Sequence, residues 1–352
     1  MKHAKKKEWI QIDGKLGEGG GQVLRTSLSL SMVTGRPVRL ENIRAGRKKP
    51  GLLRQHMAAV QASADLCGAQ VEGNRPGSEE LTFLPGPVRA GSFQVAIGTA
   101  GSSTLVLQTV LPAMLWAPGP CEITVSGGTH NPMSPPVEFL ENAFLPLLGK
   151  MGAEAHVSLL RPGFYPAGGG EVRMTVSPVR QLTPIELKAR GGIHKRRARC
   201  VLADLPPSIA KRELKEVCRL MDFREEDLEV VELEGARCPG NVLQLMLESD
   251  QVTEVFTAFG ELGVTSQQVA RKVCKEAKKY LAADVPVGRY LADQLLLPMA
   301  LASGGRFRTV GLTLHAQTNM EVIETFLPVR FYTRELGDGM VDVLCESTGE
   351  KE

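Results

Sequence analysis

The sequence has no Cys-x-x-Cys pair and no apolar run long enough to span a membrane. Its seven cysteines are odd in number and scattered, which argues against a disulfide framework and against a zinc site. The longest apolar run, residues 104–117, is interrupted by Gln108 and Thr109 and is shorter than the roughly 20 residues that a membrane-spanning helix needs. The N-terminal segment is charged and no apolar stretch follows it, so we expect no signal peptide. These absences predict a soluble protein of the reducing cytoplasm.

The chain also lacks a strong excess of either charge. Its 352 residues carry a net charge of only +3, and 43% hydrophobic and 23% charged residues are ordinary for a soluble globular protein. The positive charges are nevertheless clustered, and such clusters can follow a nucleic-acid backbone, although a single cluster is more often a solvated face. The clusters are Lys2–Lys7, Arg44–Arg54, Lys188–Arg199 and Arg271–Lys279. The charge pattern therefore permits an RNA or DNA partner without requiring one.

Two apolar segments, 107–115 and 293–301, match in length, in apolar pattern and in the position of one proline. Residues 22–34 fit the same frame, and each of the three segments precedes a strand-like run. Helices of a second type are predicted over 52–66, 136–150 and 266–282. This recurrence predicts three units, each with two helices that cover one face of a small sheet.

Aligning the three units places Arg25, Gln108 and Gln294 at one equivalent position near a helix start. Any one of these polar side chains, taken singly, is better explained as a capping or surface group. Their recurrence at the same place in each unit instead favours a shared central cleft.

The third unit is interrupted by strand-like and helix-like segments that together have the size of a small domain. We therefore predict an α/β (α+β) fold with a large repeat domain and a small inserted one. The large domain, residues 1–182 and 276–352, would contain three repeated units of two helices on a four-stranded sheet. The insertion, residues 183–275, would be a small α/β domain.

The segment from Gly17 to His56 combines a glycine cluster, an apolar helix and a basic turn. Glycines let backbone N–H groups approach an anion closely, a helix start adds positive potential, and arginines donate in pairs to phosphate oxygens. Glu18 is the acidic exception in the glycine cluster, and a carboxylate beside phosphates usually indicates a divalent metal. No Gly-Lys-Ser/Thr follows the glycines, so the segment is not a Walker A loop. It is typical of a polyphosphate site.

Seven blocks of the sequence resemble the RNA 3′-terminal phosphate cyclase family, in the same order and along nearly the whole chain. The blocks are Gly17–Arg25, Ile43–Arg47, Pro50–His56, Ser126–Thr129, Arg161–Val172, Tyr290–Gln294 and Phe326–Phe331. The chain departs from the family at Pro162, where Arg or His is usual, which puts a role for that one side chain in doubt.

The resemblance implies ATP-dependent conversion of an RNA 3′-phosphate into a 2′,3′-cyclic phosphate. A histidine would take AMP from ATP, the AMP would pass to the RNA 3′-phosphate, and the neighbouring 2′-OH would then displace it. The family's nucleophilic histidine matches His315, for which the pattern alone suggests a position at a strand end. Neutral imidazole is nucleophilic near pH 7, but the sequence does not identify the group that would orient the ring.

The other implied roles concern the metal, the phosphates and the nucleotide. Glu18 would hold the divalent cation, Mg²⁺ or Mn²⁺. The residues expected to bind the RNA phosphate or the ATP triphosphate are Arg25, Arg44, Arg47, Gln55 and His56. The residues expected to contact the rest of the ATP are Gln108, Pro135, Tyr290, Leu291, Ala292, Asp293 and Gln294. Tyr290 would stack on one face of the adenine, with Pro135 or Pro136 on the other. Asp293 would accept hydrogen bonds from the ribose hydroxyls. The expected partners are ATP and RNA with a 3′-phosphate end, and the sequence leaves open whether the chain forms a homodimer.

Two other functions fit parts of the sequence. The same family has a non-catalytic branch that acts in ribosome assembly and lacks the nucleophilic histidine, whereas His315 and Glu18 are both present here. Enolpyruvyl transferases resemble the predicted repeat architecture and bind phosphates with arginines, but they need neither a nucleotide nor a covalent histidine. Similarity at the level of fold does not decide among these functions.

Overall fold

Three segments of the chain form four-stranded sheets with the same strand order, each covered by two helices. We describe residues 8–349 in a computed structural model; the basic cluster Lys2–Lys7 lies outside this range. In every unit the first strand runs parallel to the second, the second is antiparallel to the fourth, and the fourth is antiparallel to the third. The predicted fold class, three repeated units of two helices on a four-stranded sheet, is confirmed.

The first unit is built around two helices that both end at a glycine. Its elements are β1 (Ile10–Asp13), α1 (Gly21–Thr34), β2 (Val38–Glu41), α2 (Arg54–Cys67), β3 (Gln70–Glu72) and β4 (Leu81–Leu84). Gly35 and Gly68 follow the helices with φ of 66° and 61°, a left-handed conformation that only glycine adopts without cost. These two glycines therefore set where the chain turns from each helix toward the next strand.

The second unit has the same plan with a distorted second helix. Its elements are β5 (Gly91–Ala96), α3 (Ser103–Leu115), β6 (Cys121–Gly127), α4 (Val137–Phe139), a π-helical turn (Leu140–Phe144), α5 (Leu145–Lys150), β7 (Glu154–Arg161) and β8 (Gly170–Ser177). Ser102 begins α3, and its side-chain oxygen accepts the N–H of Leu105 at 3.3 Å, which satisfies one of the free donors at the helix start.

The third unit is interrupted after its first strand, β9 (Glu186–Leu187). The inserted elements are β10 (Ile193–Ala203), α6 (Ser208–Leu220), a 3₁₀ turn (Glu225–Asp227), β11 (Leu228–Glu232), β12 (Gly240–Ser249), β13 (Thr253–Phe259) and α7 (Ser266–Ala283). The unit then resumes with α8 (Arg289–Leu301), β14 (Gly304–Val310), α9 (Leu314–Phe326), β15 (Val329–Gly337) and β16 (Met340–Ser347).

The contacts place the edges of the insertion at other residues than the predicted 183 and 275. Strand β9, inside the predicted insertion, pairs with β14 of the repeat sheet. Helix α7 crosses residue 275 and packs with α6 and the small sheet, burying Val273 and Tyr280 in their core. The helix predicted over 266–282 is therefore present but belongs to the insertion, and α9 is the second helix of the third unit. The division into two separate domains stays a prediction.

The helices of the three units meet in one shared apolar core. Leu28 of α1, Leu107 of α3 and Leu295 of α8 are all fully buried in it, and burying a leucine of this kind contributes roughly 1.5–3 kcal/mol. Helix α1 contacts α3, the first helix of the second unit, and α9, the second helix of the third, so helices of all three units pack together. Among the residues that the structure describes, no helix combines the length and the apolar character that crossing a bilayer requires.

Buried polar groups join the insertion to the repeats. Gln244 of β12 donates to Glu138 of α4 at 3.0 Å, and the other Glu138 oxygen lies 3.2 Å from the His130 ring. Burial alone would raise the pKa of Glu138, but His130 together with the hydrogen bonds from the backbone and from Gln244 lowers the pKa to about 2. Glu254 of β13 accepts the backbone N–H of Gly288, the residue before α8. The small sheet is therefore tied to elements that carry the site described below.

Candidate active site

The three residues that the repeat alignment brought together line one cleft between α1, α3 and α8. Arg25, Gln108 and Gln294 all face this cleft. The Gln108 amide donates to the Gln294 side-chain oxygen, and Arg25 donates to Gln22 at 3.0 Å. The prediction of a shared central cleft is confirmed by this arrangement.

His315 lies in the first turn of α9, not at a strand end as predicted. Thr313 begins this helix by accepting the N–H of Ala316 at 3.0 Å, and β14 has already ended at Val310. The His315 ring has a neighbour on each side: Nδ1 lies 3.0 Å from Asp293 Oδ2, and Nε2 lies 3.8 Å from Glu18 Oε2. The ring is thus held at Nδ1 and leaves Nε2 facing the glycine loop.

Asp293, which orients the ring, is itself held by Asn319. Asp293 is buried, and the Asn319 amide lies 3.4 Å from its Oδ1 and 3.4 Å from its backbone carbonyl. The Asn319 oxygen in turn accepts from Thr26 at 2.7 Å. Sequence reasoning missed Asn319, although it lies four residues after His315 and so on the same face of the helix.

Glu18 lies in a loop whose conformation requires glycine. Gly17 has φ of 50°, and a Cβ there would overlap the Thr318 hydroxyl. That hydroxyl accepts the Glu18 N–H at 3.1 Å, so α9 positions the loop directly. Glu18 Oε1 forms an ion pair with Arg47, whereas Oε2 is buried and has no hydrogen-bond partner among the described residues.

A second histidine, His56, lies beside Arg25 at the start of α1. Its Nδ1 accepts the N–H of Leu53 at 3.1 Å. A Cβ on Gly21 would come within 2.6 Å of His56 Nε2 and 2.9 Å of Arg25 Nη1, so the absent side chain lets both groups approach the helix start. Burial, together with the charges of Arg25 and Arg44, lowers the pKa of His56 to about 3. His56 is therefore neutral at pH 7, with Nε2 carrying a proton that it can donate to a phosphate.

The three arginines have different surroundings. Burial lowers the pKa of Arg25 to about 10, with Asp293 opposing the shift, so Arg25 is still charged at pH 7. Arg44 is buried, which lowers its pKa, and it donates to the carbonyl groups of Lys49 and Gly51 at 2.8 and 2.6 Å. It therefore shapes the basic turn, whereas Arg47 is exposed and reaches Glu18.

The remaining residues predicted to contact the nucleotide lie at the rim or in the core. Tyr290 is 63% exposed, and the Arg289 guanidinium lies 5.6 Å from its ring centre. Leu291 and Ala292 are completely buried, so their side chains face the core and not the cleft. The Pro135 carbonyl accepts from Thr104 at 2.7 Å, which places it over the start of α3.

Gln55 connects the basic turn to α3. Its side-chain oxygen accepts the backbone N–H of Ser102 at 3.2 Å. The start of α2 and the start of α3 therefore lie side by side.

Comparison with known proteins identifies the family. The model of the RNA 3′-terminal phosphate cyclase family matches residues 16–333. The chain belongs to this family. One relative is a Pseudomonas fluorescens protein named RNA 3′-terminal phosphate cyclase. It is 48% identical to this chain over 342 residues, which are 97% of this chain and 99% of that protein. The resemblance found in the separate sequence blocks is thus confirmed along the chain.

A cyclase of this kind is expected to use a divalent cation. The residues around Glu18 fit a cation that takes one ligand from the protein and most of its ligands from substrate phosphates and water. Between residues 8 and 349, no group of three or more His, Cys, Asp or Glu side chains is placed to enclose a metal ion. Mg²⁺ is commonly bound by one or two carboxylates together with phosphate oxygens and water. The unpartnered Glu18 Oε2 suits such a site.

Proposed function

We propose that the chain converts the 3′-terminal phosphate of RNA into a 2′,3′-cyclic phosphate with ATP, through AMP bound covalently to His315. The observation that carries this proposal is the His315 ring, held at Nδ1 by Asp293 and open at Nε2. The name of the Pseudomonas relative supports the overall reaction. A binding protein that acts only in assembly would not need a histidine oriented in this way.

In the first step the Nε2 lone pair attacks the α-phosphorus of ATP. An N–P bond forms, the bond between the α-phosphorus and the bridging oxygen breaks, and pyrophosphate leaves. Asp293 keeps the proton on Nδ1 and stabilises the positive charge that develops on the ring. The buried Asp293 carboxylate and its Asn319 partner hold the ring in place before ATP arrives, so little reorganisation accompanies the reaction.

In the second step an oxygen of the RNA 3′-phosphate attacks the phosphorus of the bound AMP, and the N–P bond to His315 breaks. In the third, the neighbouring 2′-oxygen loses its proton and attacks the terminal phosphorus, and AMP leaves. Arg25 and neutral His56 donate to phosphate oxygens near the start of α1, where the free N–H groups of the helix also face an anion. A Mg²⁺ or Mn²⁺ ion at Glu18 would neutralise phosphate charge, which is the main requirement of such transfers.

A location in the reducing cytoplasm is part of the same proposal. All seven cysteines lie within the described residues and none is in a disulfide. Buried thiols such as Cys200 and Cys345 suit a compartment that keeps them reduced.

The test of the proposal is covalent labelling. We expect ATP labelled at the α-phosphate to leave an acid-labile, alkali-stable label on the protein in the presence of Mg²⁺. The label should be absent from His315→Ala and unchanged in His156→Ala, which removes an exposed histidine of β7. No label on the unmodified protein with either metal would contradict the mechanism.

A further inference from the structure

Ion pairing decides which basic residues of this molecule are available to RNA. Each lysine, arginine and histidine of the cluster Lys188–Arg199, a candidate RNA contact by sequence, lies within 4.0 Å of a carboxylate, and Lys195 and Arg197 share Glu248. The carboxylate partners of the cluster are Glu186, Asp222, Glu229, Glu248, Asp250 and Asp284. Arg54 and Arg237, in contrast, are exposed, and neither forms an ion pair with any residue from 8 to 349. These two arginines are free to bind phosphates.

Arg54 and Arg237 lie at opposite ends of one continuous, glycine-lined surface. Arg54 begins α2 beside Gln55, and a Cβ on Gly98 would stand 3.6 Å from its guanidinium. The loop that contains Gly98 touches the loop before β8, since a Cβ on Gly168 would stand 2.7 Å from the Ala100 Cα. The next residue, Gly169, contacts the Arg237 side chain of the insertion. The surface therefore runs from the start of α2 to the small sheet.

An exposed aromatic ring lies in the loop that carries Gly168 and Gly169. Tyr165 is 69% exposed. It lies in a tight turn closed by the Gly168 N–H, which donates to the Phe164 carbonyl at 2.7 Å. Phe164 anchors the turn because its ring is buried among residues of the small sheet, including Val201 and Val242. The turn thus presents Tyr165 to solvent from a fixed base.

We propose that the RNA strand leading to the terminal phosphate crosses this surface from Arg54 to Arg237, with Tyr165 stacking on one of its bases. This inference rests on the proposed function, because it extends the same site along its substrate. Unpaired arginines bind backbone phosphates, and an aromatic ring stacks on any base. This combination recognises single-stranded RNA without reading its sequence.

The proposal is tested by substrate length. Binding is measured by fluorescence anisotropy for a dinucleotide 3′-phosphate and for a 3′-phosphorylated strand of about ten nucleotides, a size within the range of single-strand sites. We expect Tyr165→Ala to weaken binding of the long RNA about tenfold, and Tyr165→Phe to bind it normally. Arg237→Ala should reduce the slope of log affinity against log salt by about 0.7.

Matched controls remove the same groups elsewhere. Tyr332→Ala deletes an exposed tyrosine of β15, and Arg212→Ala an exposed arginine of α6; both should bind the long RNA normally. Unchanged affinity and salt slope in Tyr165→Ala and Arg237→Ala would overturn the proposal, and so would equal losses for the dinucleotide and the long RNA. Self-adenylylation is followed in parallel: its absence from the unmodified protein would contradict the proposed mechanism, whereas the path is judged by the RNA measurements alone.

Discussion

At the scale of single residues, the tautomer of His315 is set by one carboxylate. Replacing Asp293 by asparagine keeps the shape, but an amide that donates to Nδ1 moves the ring proton to Nε2 and occupies the nucleophilic lone pair. We expect Asp293→Asn to slow self-adenylylation by about a hundredfold to ten-thousandfold, as a wrong tautomer does in other histidine-dependent sites. The rate is measured as single-turnover incorporation of the α-phosphate label, with ATP affinity measured beside it.

The matched control is Asp222→Asn, which makes the same change at an exposed carboxylate paired with Arg196. It should adenylylate at the unmodified rate. A rate for Asp293→Asn within a few-fold of the unmodified protein would show that Asp293 does not orient the ring.

The low pKa of His56 makes the stability of the protein depend on pH below neutrality. Its folded pKa of about 3 lies below its ordinary value of 6.5, so between these values the unfolded chain binds a proton that the folded protein does not. Stability therefore falls as the pH drops through this window. We expect the unmodified protein to lose about 2 kcal/mol more than His56→Gln between pH 7 and pH 5, as measured by urea unfolding at both pH values. Equal losses of unfolding free energy in the two proteins would contradict the low pKa of folded His56.

At the scale of elements, the start of α1 depends on the absence of one side chain. A Cβ on Gly21 would meet both His56 and Arg25, so Gly21→Ala must displace two groups that we propose bind phosphate. Small displacements of this kind cost up to about a hundredfold in rate, and we expect such a loss of adenylylation.

The matched control is Gly149→Ala in α5, where a Cβ would meet nothing within 4 Å. It should leave the rate unchanged and stabilise the protein by up to about 1 kcal/mol. Equal rates for the two glycine variants would show that the close approach at Gly21 is not needed.

At the scale of the whole molecule, the insertion is held to the site by a buried carboxyl group. Burial raises the pKa of Glu254 to about 8 despite the opposing N–H of Gly288. The folded protein keeps a proton that the unfolded chain releases above its ordinary pKa of 4.5, so stability falls as the pH rises from about 4.5 to 8. We expect Glu254→Gln, which does not titrate, to lose about 3 kcal/mol less than the unmodified protein between pH 5 and pH 8.

Thermal or urea unfolding at the two pH values checks this. Glu248→Gln serves as the control, since Glu248 lies near the end of β12 in the same sheet and is paired with Lys195. Parallel pH profiles for Glu254→Gln and the unmodified protein would contradict a protonated Glu254.

Much of the fold could be predicted because repetition and local pattern carry it. The proline-containing helices and the equivalent positions of Arg25, Gln108 and Gln294 follow from spacing along the chain. The edges of the insertion do not, because α7 is amphipathic wherever it packs, and only the contacts decide that its apolar face covers the small sheet. The strand-like run predicted over 307–314 puts His315 at a strand end, whereas the strand ends at Val310 and Thr313 begins a helix.

The sequence by itself determined the family, the three-unit plan and the types of chemical group in the site, because these depend on motifs and on periodic apolar positions. Only the tertiary structure decided how those groups act. Glu18 is placed by Thr318, 300 residues away, and His315 is oriented by a carboxylate of a different helix. In the cluster Lys188–Arg199, Lys195 pairs with Glu248 of β12, Arg196 with Asp222 after α6, and Arg190 with Asp284 after α7. Orientation and charge pairing arise between segments that are distant along the chain, so they exist only once the units have packed together.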